Sequence, residues 1–546
     1  MLFHLNSFLF LTHFLHNKNT LPQDVHNVAG TKVTFRAIHW PGTSYLAVMS
    51  IVDRLVKGVT CSAKCFGDGW GDQRVLNELT QLSVTMKNPK SCMQPVAKYF
   101  DSTKMNCVED KKGNKHFRTF TGSFESPLNC LFPDLLPLES RTCNFKMILP
   151  KEWKNEDKKR ICLHYAPTGD HGYTRRGYTL AHPIAKDYNI GSVLVENPYY
   201  GSRKPEKQSR SAVGHVTDIF SMGCSLMLEG QFIFSWLEYQ GYGPLGISGV
   251  SLGGHNASLT AAVWQKPIAV IPCLSWSSAA HTFSESILKS QCTWDVLQAQ
   301  LQTDKLQDIH HAINKSQAEI EVLLAERSLM KQTEENRIKT ESKINNMKVQ
   351  SVLDALRNSD FTSSVGNRLP SYITNSFGDR TVKKPDVDQE LAELYMRLLF
   401  DTFTNLRFYP RPVTASLNST VVIIAKDDLY IPQPVDDDIL DISEVWPGCD
   451  IKTVEGGHIS TYVTQQKIFR EAIKLAFDKL DVELEKEKLI LYASLEEPSG
   501  NLNEGPHEEQ LVTVITTVEC PEETPGGLPK FSDMEEELGA SEKVKP

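Results

Sequence analysis

A serine placed where a strand must turn at once into a helix allows the surrounding chain few folds, and Gly249-Val250-Ser251-Leu252-Gly253 asks for that turn. The pattern G-x-S-x-G is common by itself; its flanks make it informative. Leu245 and Ile247 supply the alternating apolar residues of a strand running into it. Beyond the serine, Gly253, Ala257 and Ala261 recur every four residues, a smooth helix face able to lie close on a sheet. Small residues on either side let the chain turn sharply enough to hold the serine strained, its hydroxyl above the sheet. The competing reading is a Gly-rich strand-to-helix turn with an ordinary serine.

Strand-like runs alternate with helical ones on both sides of this turn. Residues 143–149, 160–165 and 192–195 read as strands, the first closed by Pro150 and the third by Asn197-Pro198. A helical stretch over 218–239 leads into the strand Leu245–Val250, a helix over 252–264 and a strand over 268–274. The alternation resumes with the strands Val421–Ala425 and Asp450–Val454 and a closing amphipathic helix over 465–480. This order makes right-handed crossovers and a mostly parallel sheet flanked by helices. The predicted class is α/β, with a helical insertion before the acid-bearing strand.

The chain divides into an atypical apolar N-terminal extension (1–50), a first sheet-forming block (51–289), an insertion (290–385), a second block (386–482) and an acidic tail (483–546). Residues 53–126 read as mixed, polar and loop-rich. In the insertion, Leu306, Ile309, Ile313, Ile320 and Leu324 recur at helical spacing within Gln-, Glu- and Lys-rich text. That fits either a helical lid over the sheet edge or a partly disordered segment. From Glu496 the tail is Glu/Pro/Gly-rich with few aromatics and reads as disordered.

An isolated serine hydroxyl is a poor nucleophile and needs a base, which in turn needs an orienting acid. After a nucleophile elbow the chain order is serine, acid, histidine. The strand Val421–Ala425 runs into Lys426-Asp427-Asp428, and Gly456-Gly457-His458 follows the strand Asp450–Val454. His458 is therefore the candidate base and Asp428 the candidate acid, with Asp427 as its alternative. His255 competes as base, but on the helix after the elbow packing or hydrogen bonding is its expected role. The oxyanion donors would be the backbone N–H of Leu252 and one from the loop after the strand 160–165. In that loop Pro167 has no N–H, which leaves Ala166, Thr168 and Gly169; Thr168 is preferred. The other reading of the loop is a tight turn with no catalytic part.

Composition narrows the partners. A net charge of −9, with much of the acid towards the C-terminal end, argues against nucleic acid. Twelve cysteines at irregular spacing give no zinc-like pairs, so no metal is expected, and no cofactor either. This usage suits a reducing compartment, and Cys162 and Cys273 fall in apolar runs where a thiol behaves as a small hydrophobe. The first sixteen residues are largely apolar but too short to span a bilayer, which takes about 20. They lack the basic start and cleavage site of a signal peptide and the arginine of a mitochondrial presequence. Peripheral membrane contact is the expectation they permit. An intracellular location is favoured, with mitochondrial, membrane-associated and secreted destinations left open, as is the oligomeric state.

At these residues the sequence resembles α/β hydrolases over about 143–480 apart from the insertion, and more closely the α/β-hydrolase-domain-containing protein 18 family. The runs that carry this are Phe124-Glu125-Ser126-Pro127, Pro150-Lys151-Glu152-Trp153, Glu196-Asn197-Pro198-Tyr199-Tyr200-Gly201 and Gly241-Tyr242-Gly243-Pro244-Leu245-Gly246. Pro272-Cys273-Leu274-Ser275-Trp276-Ser277, Trp446-Pro447-Gly448-Cys449 and Glu455-Gly456-Gly457-His458-Ile459-Ser460 add to it. The resemblance implies an α/β-hydrolase fold and a triad of Ser251, Asp428 and His458. It implies a cofactor-free serine hydrolase acting on a carboxylic or phospholipid acyl ester, or a thioester, with a small-molecule or lipid acyl substrate. Pro167 stands where the family's loop usually has Gly. The rival expectation is a non-catalytic hydrolase fold serving as a scaffold; acyl transfer to another alcohol would use the same triad.

Overall fold

The computed structural model describes residues 64–100, 105–110, 115–301, 387–431 and 441–495. Nine strands form one sheet in the order β1-β2-β3-β5-β4-β6-β7-β8-β9. The strands are β1 (Asn106–Glu109), β2 (Phe117–Glu125), β3 (Thr142–Pro150), β4 (Ile161–Tyr165), β5 (Gly191–Val195), β6 (Leu245–Val250), β7 (Ala269–Cys273), β8 (Val421–Ala425) and β9 (Asp450–Val454). The first three pair antiparallel and β3 lies antiparallel to β5; from β5 across to β9 every pairing is parallel. The exchange of β4 and β5 in the order reverses the direction of winding, so helices cover both faces.

Burial on both faces explains the continuous apolar runs of the central strands. In β7, Ala269, Ile271 and Cys273 join the core on one face while Val270 joins the other. In β8, Val421, Ile423 and Ala425 divide from Val422 in the same way. The helices are α1 (Gln73–Lys87), α2 (Gln94–Phe100), α3 (His182–Tyr188), α4 (Val216–Tyr239), α5 (Leu252–Val263), α6 (Trp294–Leu301), α7 (Val387–Thr404), α8 (His458–Thr464) and α9 (Gln466–Leu495), with shorter turns between. Helix α9 packs on β7 and β8. Gly246 makes room for it: a Cβ there would lie 2.5 Å from the Phe477 ring.

The predicted strands and helices of the central block all form, with ends shifted by a residue or two. The span 53–126 is a correction. Its described part holds α1, α2, β1 and β2 rather than loops. Leu76, Leu79, Leu82 and Met86 line the buried side of α1, and the Asp72 side chain caps it by accepting from the Arg74 N–H at 2.7 Å. Polar residues between these positions masked a helical period. Helix α9 also continues to Leu495, beyond its expected end and into the stretch assigned to the tail. The extension 1–50, the helical positions from Leu306 to Leu324 and the tail from Glu496 lie outside the described residues. At the flanks of the insertion, α6 packs against α7.

Candidate active site

Ser251 follows the last residue of β6 and precedes α5, with φ 57° and ψ −123°. A non-glycine residue at positive φ is strained and held there only by its surroundings. The Ser251 N–H donates to the Cys273 carbonyl at 2.9 Å, and the His255 N–H donates to the Ser251 carbonyl at 3.0 Å. Glycines allow the turn to close. A Cβ on Gly249 would lie 2.2 Å from the Gly253 carbonyl oxygen, and one on Gly253 would lie 2.7 and 2.8 Å from the carbonyls of Tyr165 and Ala166. The elbow thus presses on the end of β4, where the loop expected to hold an oxyanion begins. Leu252, half-buried, is the first residue of α5, where backbone N–H groups have no partner within the helix.

Of the two aspartates after β8, Asp428 is the one that meets the histidine. Its Oδ2 lies 2.6 Å from His458 Nδ1, and both side chains are about 95% buried, with exposures of 6% and 5%. Its Oδ1 accepts from the N–H groups of Tyr430 at 2.8 Å and Ile431 at 2.9 Å, so the backbone fixes the carboxylate's orientation. The Tyr430 ring stacks on the imidazole with centroids 5.0 Å apart. Asp427 is tied by its backbone instead, its N–H donating to the Gly456 carbonyl at 3.0 Å. Gly456, at φ +123°, gives the turn that brings His458 to the start of α8. Ser251, Asp428 and His458 follow β6, β8 and β9, and therefore share the C-terminal edge of the parallel strands.

His255 is engaged elsewhere. Its Nδ1 lies 3.1 Å from the Trp276 carbonyl and its Nε2 3.0 Å from the Thr404 carbonyl. Burial pushes its imidazole below the usual histidine range, against the pull of the two carbonyls. It joins the elbow helix to the loops after β7 and α7 through these hydrogen bonds.

The loop after β4 is gripped from two sides. Ala166 is buried, and its N–H donates to Asn197 Oδ1 at 3.3 Å. Thr168 and Gly169 are exposed, and burial pushes the Tyr200 hydroxyl up against the weaker downward pull of the nearby Thr168 side chain and Gly169 backbone. The Asp170 N–H donates to the Pro167 carbonyl at 3.1 Å with Gly169 at φ +82°, so Pro167 opens a tight turn. Arg176, buried, donates to Asp170 Oδ2 at 2.8 Å, to the Gly172 carbonyl at 3.0 Å and to the His164 carbonyl at 2.7 Å. Neither Asn197 nor Arg176 drew attention in the sequence as a site residue. A buried-type strand stopped by Asn197-Pro198 was the available signal, since an amide there must find backbone partners. Among the described residues no group of three or more His, Cys, Asp or Glu could hold a metal ion. No described helix is long and apolar enough to cross a membrane. Cys162 and Cys273 are buried free thiols, both raised by burial.

The sheet order, the strained serine on the strand-to-helix turn and the Asp–His pair two strands on define the chain as an α/β hydrolase by fold. Within that class it belongs to the family described as "Alpha/beta hydrolase domain containing 18", whose model matches residues 63–479. Among solved structures it is similar to an acetyl xylan esterase from Paenibacillus sp. R4 at 10% identity, covering 69% of this chain and 91% of that one, with a TM-score of 0.33. It is also similar to the peroxisomal alpha-beta-hydrolase Lpx1 from Saccharomyces cerevisiae at 13% identity, covering 79% of this chain and 100% of that one, with a TM-score of 0.34.

Proposed function

We propose that this chain is a serine hydrolase that cleaves an acyl ester or thioester, with Ser251 as nucleophile, His458 as base and Asp428 as orienting acid. One observation carries the reading: the Asp428–His458 pair, 2.6 Å apart, stands at the same sheet edge as a serine held at φ 57°. Ser251 Oγ attacks the acyl carbon while His458 Nε2 takes its proton. The oxyanion is held by the N–H groups of Leu252 and Thr168. The carbonyl re-forms, the bond to the leaving oxygen or sulfur breaks, and His458 returns the proton to that atom. Water then enters by the same route and releases the acid, restoring the serine.

Thr168 is our choice for the second donor because its neighbours are spoken for. The Ala166 N–H turns to Asn197, Pro167 has none, and the Gly169 backbone lies near the Tyr200 hydroxyl. A lipid-like acyl substrate is the finer reading, supported by the apolar opening sixteen residues. The test is labelling of purified full-length protein with a fluorophosphonate probe, wild type beside Ser251→Ala and His458→Ala. Wild type should label, Ser251→Ala should not, and His458→Ala should be slowed by at least about 10³-fold. Absence of labelling in folded wild-type protein would move the reading to a scaffold.

A further inference from the structure

We propose that the loop Asn197–Gly201 is the positioning device of the oxyanion site, with Asn197 holding the backbone of Ala166 so that the Thr168 N–H faces the reacting oxygen. The inference rests on the serine-hydrolase reading above. Asn197 is fully buried, and its amide makes both bonds that a neighbouring strand would make. Nδ2 donates to the Ala166 carbonyl at 2.9 Å and Oδ1 accepts from the Ala166 N–H at 3.3 Å. In effect the side chain extends the β4–β5 ladder by one rung past the ends of the two strands. Ala166 therefore cannot rotate its peptide groups, and the turn Pro167–Asp170 starts from a fixed direction.

The same loop grips the turn twice more. Tyr200, two per cent exposed, packs under the turn with its hydroxyl near the Thr168 side chain and the Gly169 backbone. The Gly201 N–H donates to His171 Nδ1 at 2.8 Å, which fixes the tautomer, so His171 Nε2–H faces Ser211 Oγ at 2.8 Å. The gripping loop is itself anchored. Arg203, with no exposed surface, donates to the Glu196 carbonyl at 2.7 Å and pairs with Glu229 of α4 at 2.6 and 2.9 Å. Donors aimed at a developing charge are effective only when they need not reorganise as it forms, and these contacts remove the freedom to reorganise. This gives the run Glu196-Asn197-Pro198-Tyr199-Tyr200-Gly201 a function beyond ending a strand.

A positioning role differs from a merely structural one in what it does to a sulfur-for-oxygen swap. In fluorophosphonate labelling Ser251 Oγ attacks phosphorus, fluoride leaves, and the phosphoryl oxygen gathers charge against the oxyanion donors. In the P=S counterpart that atom is a poor acceptor, so the P=O/P=S ratio of labelling rates reads the donors directly. In wild type the ratio should be large. Asn197→Ala should slow P=O labelling by about 10²-fold, the effect of losing one donor, and should reduce the ratio by a similar factor. Tyr200→Phe keeps the ring and removes only the hydroxyl; it should lower the ratio in the same direction by a smaller factor. Should Asn197→Ala fail to fold, Tyr200→Phe decides alone. An unchanged ratio in the folded variants, whatever the absolute rates, overturns the proposal. Failure of wild type to label at all would instead sink the hydrolase reading on which it stands.

Discussion

At the scale of single residues, the proposed acid is one of two neighbours, and they differ in what they touch. Asp428 has one oxygen on His458 and the other on two backbone N–H groups, whereas Asp427 makes no bond to the imidazole. Asp428→Asn should keep the fold and lower the labelling rate by about 10⁴-fold, since the amide favours the wrong imidazole tautomer. Asp427→Asn should leave the rate nearly unchanged. Measured side by side, equal losses in the two variants would show that the assignment is wrong. Ser251 and His458 could be nominated from the sequence because each comes shortly after a strand-like run and within two residues of a glycine. Asn197 was not, because its role lies in reaching backbone that is distant in sequence, and no local pattern carries that information.

At the scale of elements, the elbow and the loop after β4 form one packed unit. Gly253 separates them by so little that a Cβ would meet two backbone carbonyls, at 2.7 and 2.8 Å, neither of which can swing aside as a side chain could. Gly253→Ala should therefore cost about 1–3 kcal/mol by overpacking and should also lower the labelling rate, since relief moves either the serine or the loop proposed to hold the oxyanion. Denaturant midpoints and labelling rates of the one variant check both; a loss of stability with the rate intact would mean the two elements move independently. Elements themselves were readable wherever hydrophobic period was strong. All the strands from β3 to β9 were anticipated; β4 to β8 are fully buried and read as near-continuous apolar runs. The helix α1 escaped because its face of Leu76, Leu79, Leu82 and Met86 is interleaved with polar residues, and β1 and β2 because they are partly exposed, β1 at the sheet edge and β2 next to it.

At the scale of the whole molecule, buried histidines make stability depend on pH. His164, one per cent exposed on β4, has its imidazole pushed down to about 3, chiefly by burial and then by the nearby Arg176. Unfolded, it titrates near 6.5. Between these values the unfolded chain holds a proton that the native one refuses, so stability is full above about pH 6.5 and falls as the pH drops towards 3. The slope for one such group is at most about 1.4 kcal/mol per pH unit. His164→Gln should flatten the decline of the urea midpoint between pH 6.5 and 4.5 by that share; parallel declines in variant and wild type would remove His164 as a cause. The parallel arrangement of the sheet was deducible from alternation, but its order was not. Which of β4 and β5 lies inside depends on contacts between segments far apart in the chain.

The packing of α6 against α7 has a bearing on how such a protein can change over time. Between β7 and β8 the chain departs through one of these helices and comes back through the other, so its two gateposts stand together. Bringing the ends of an excursion together costs free energy that rises only with the logarithm of its length, roughly 0.6 kcal/mol per doubling. Here the folded body already holds the two helices against each other. The hydrolase core is therefore nearly indifferent to how much sequence is spliced in at that doorway.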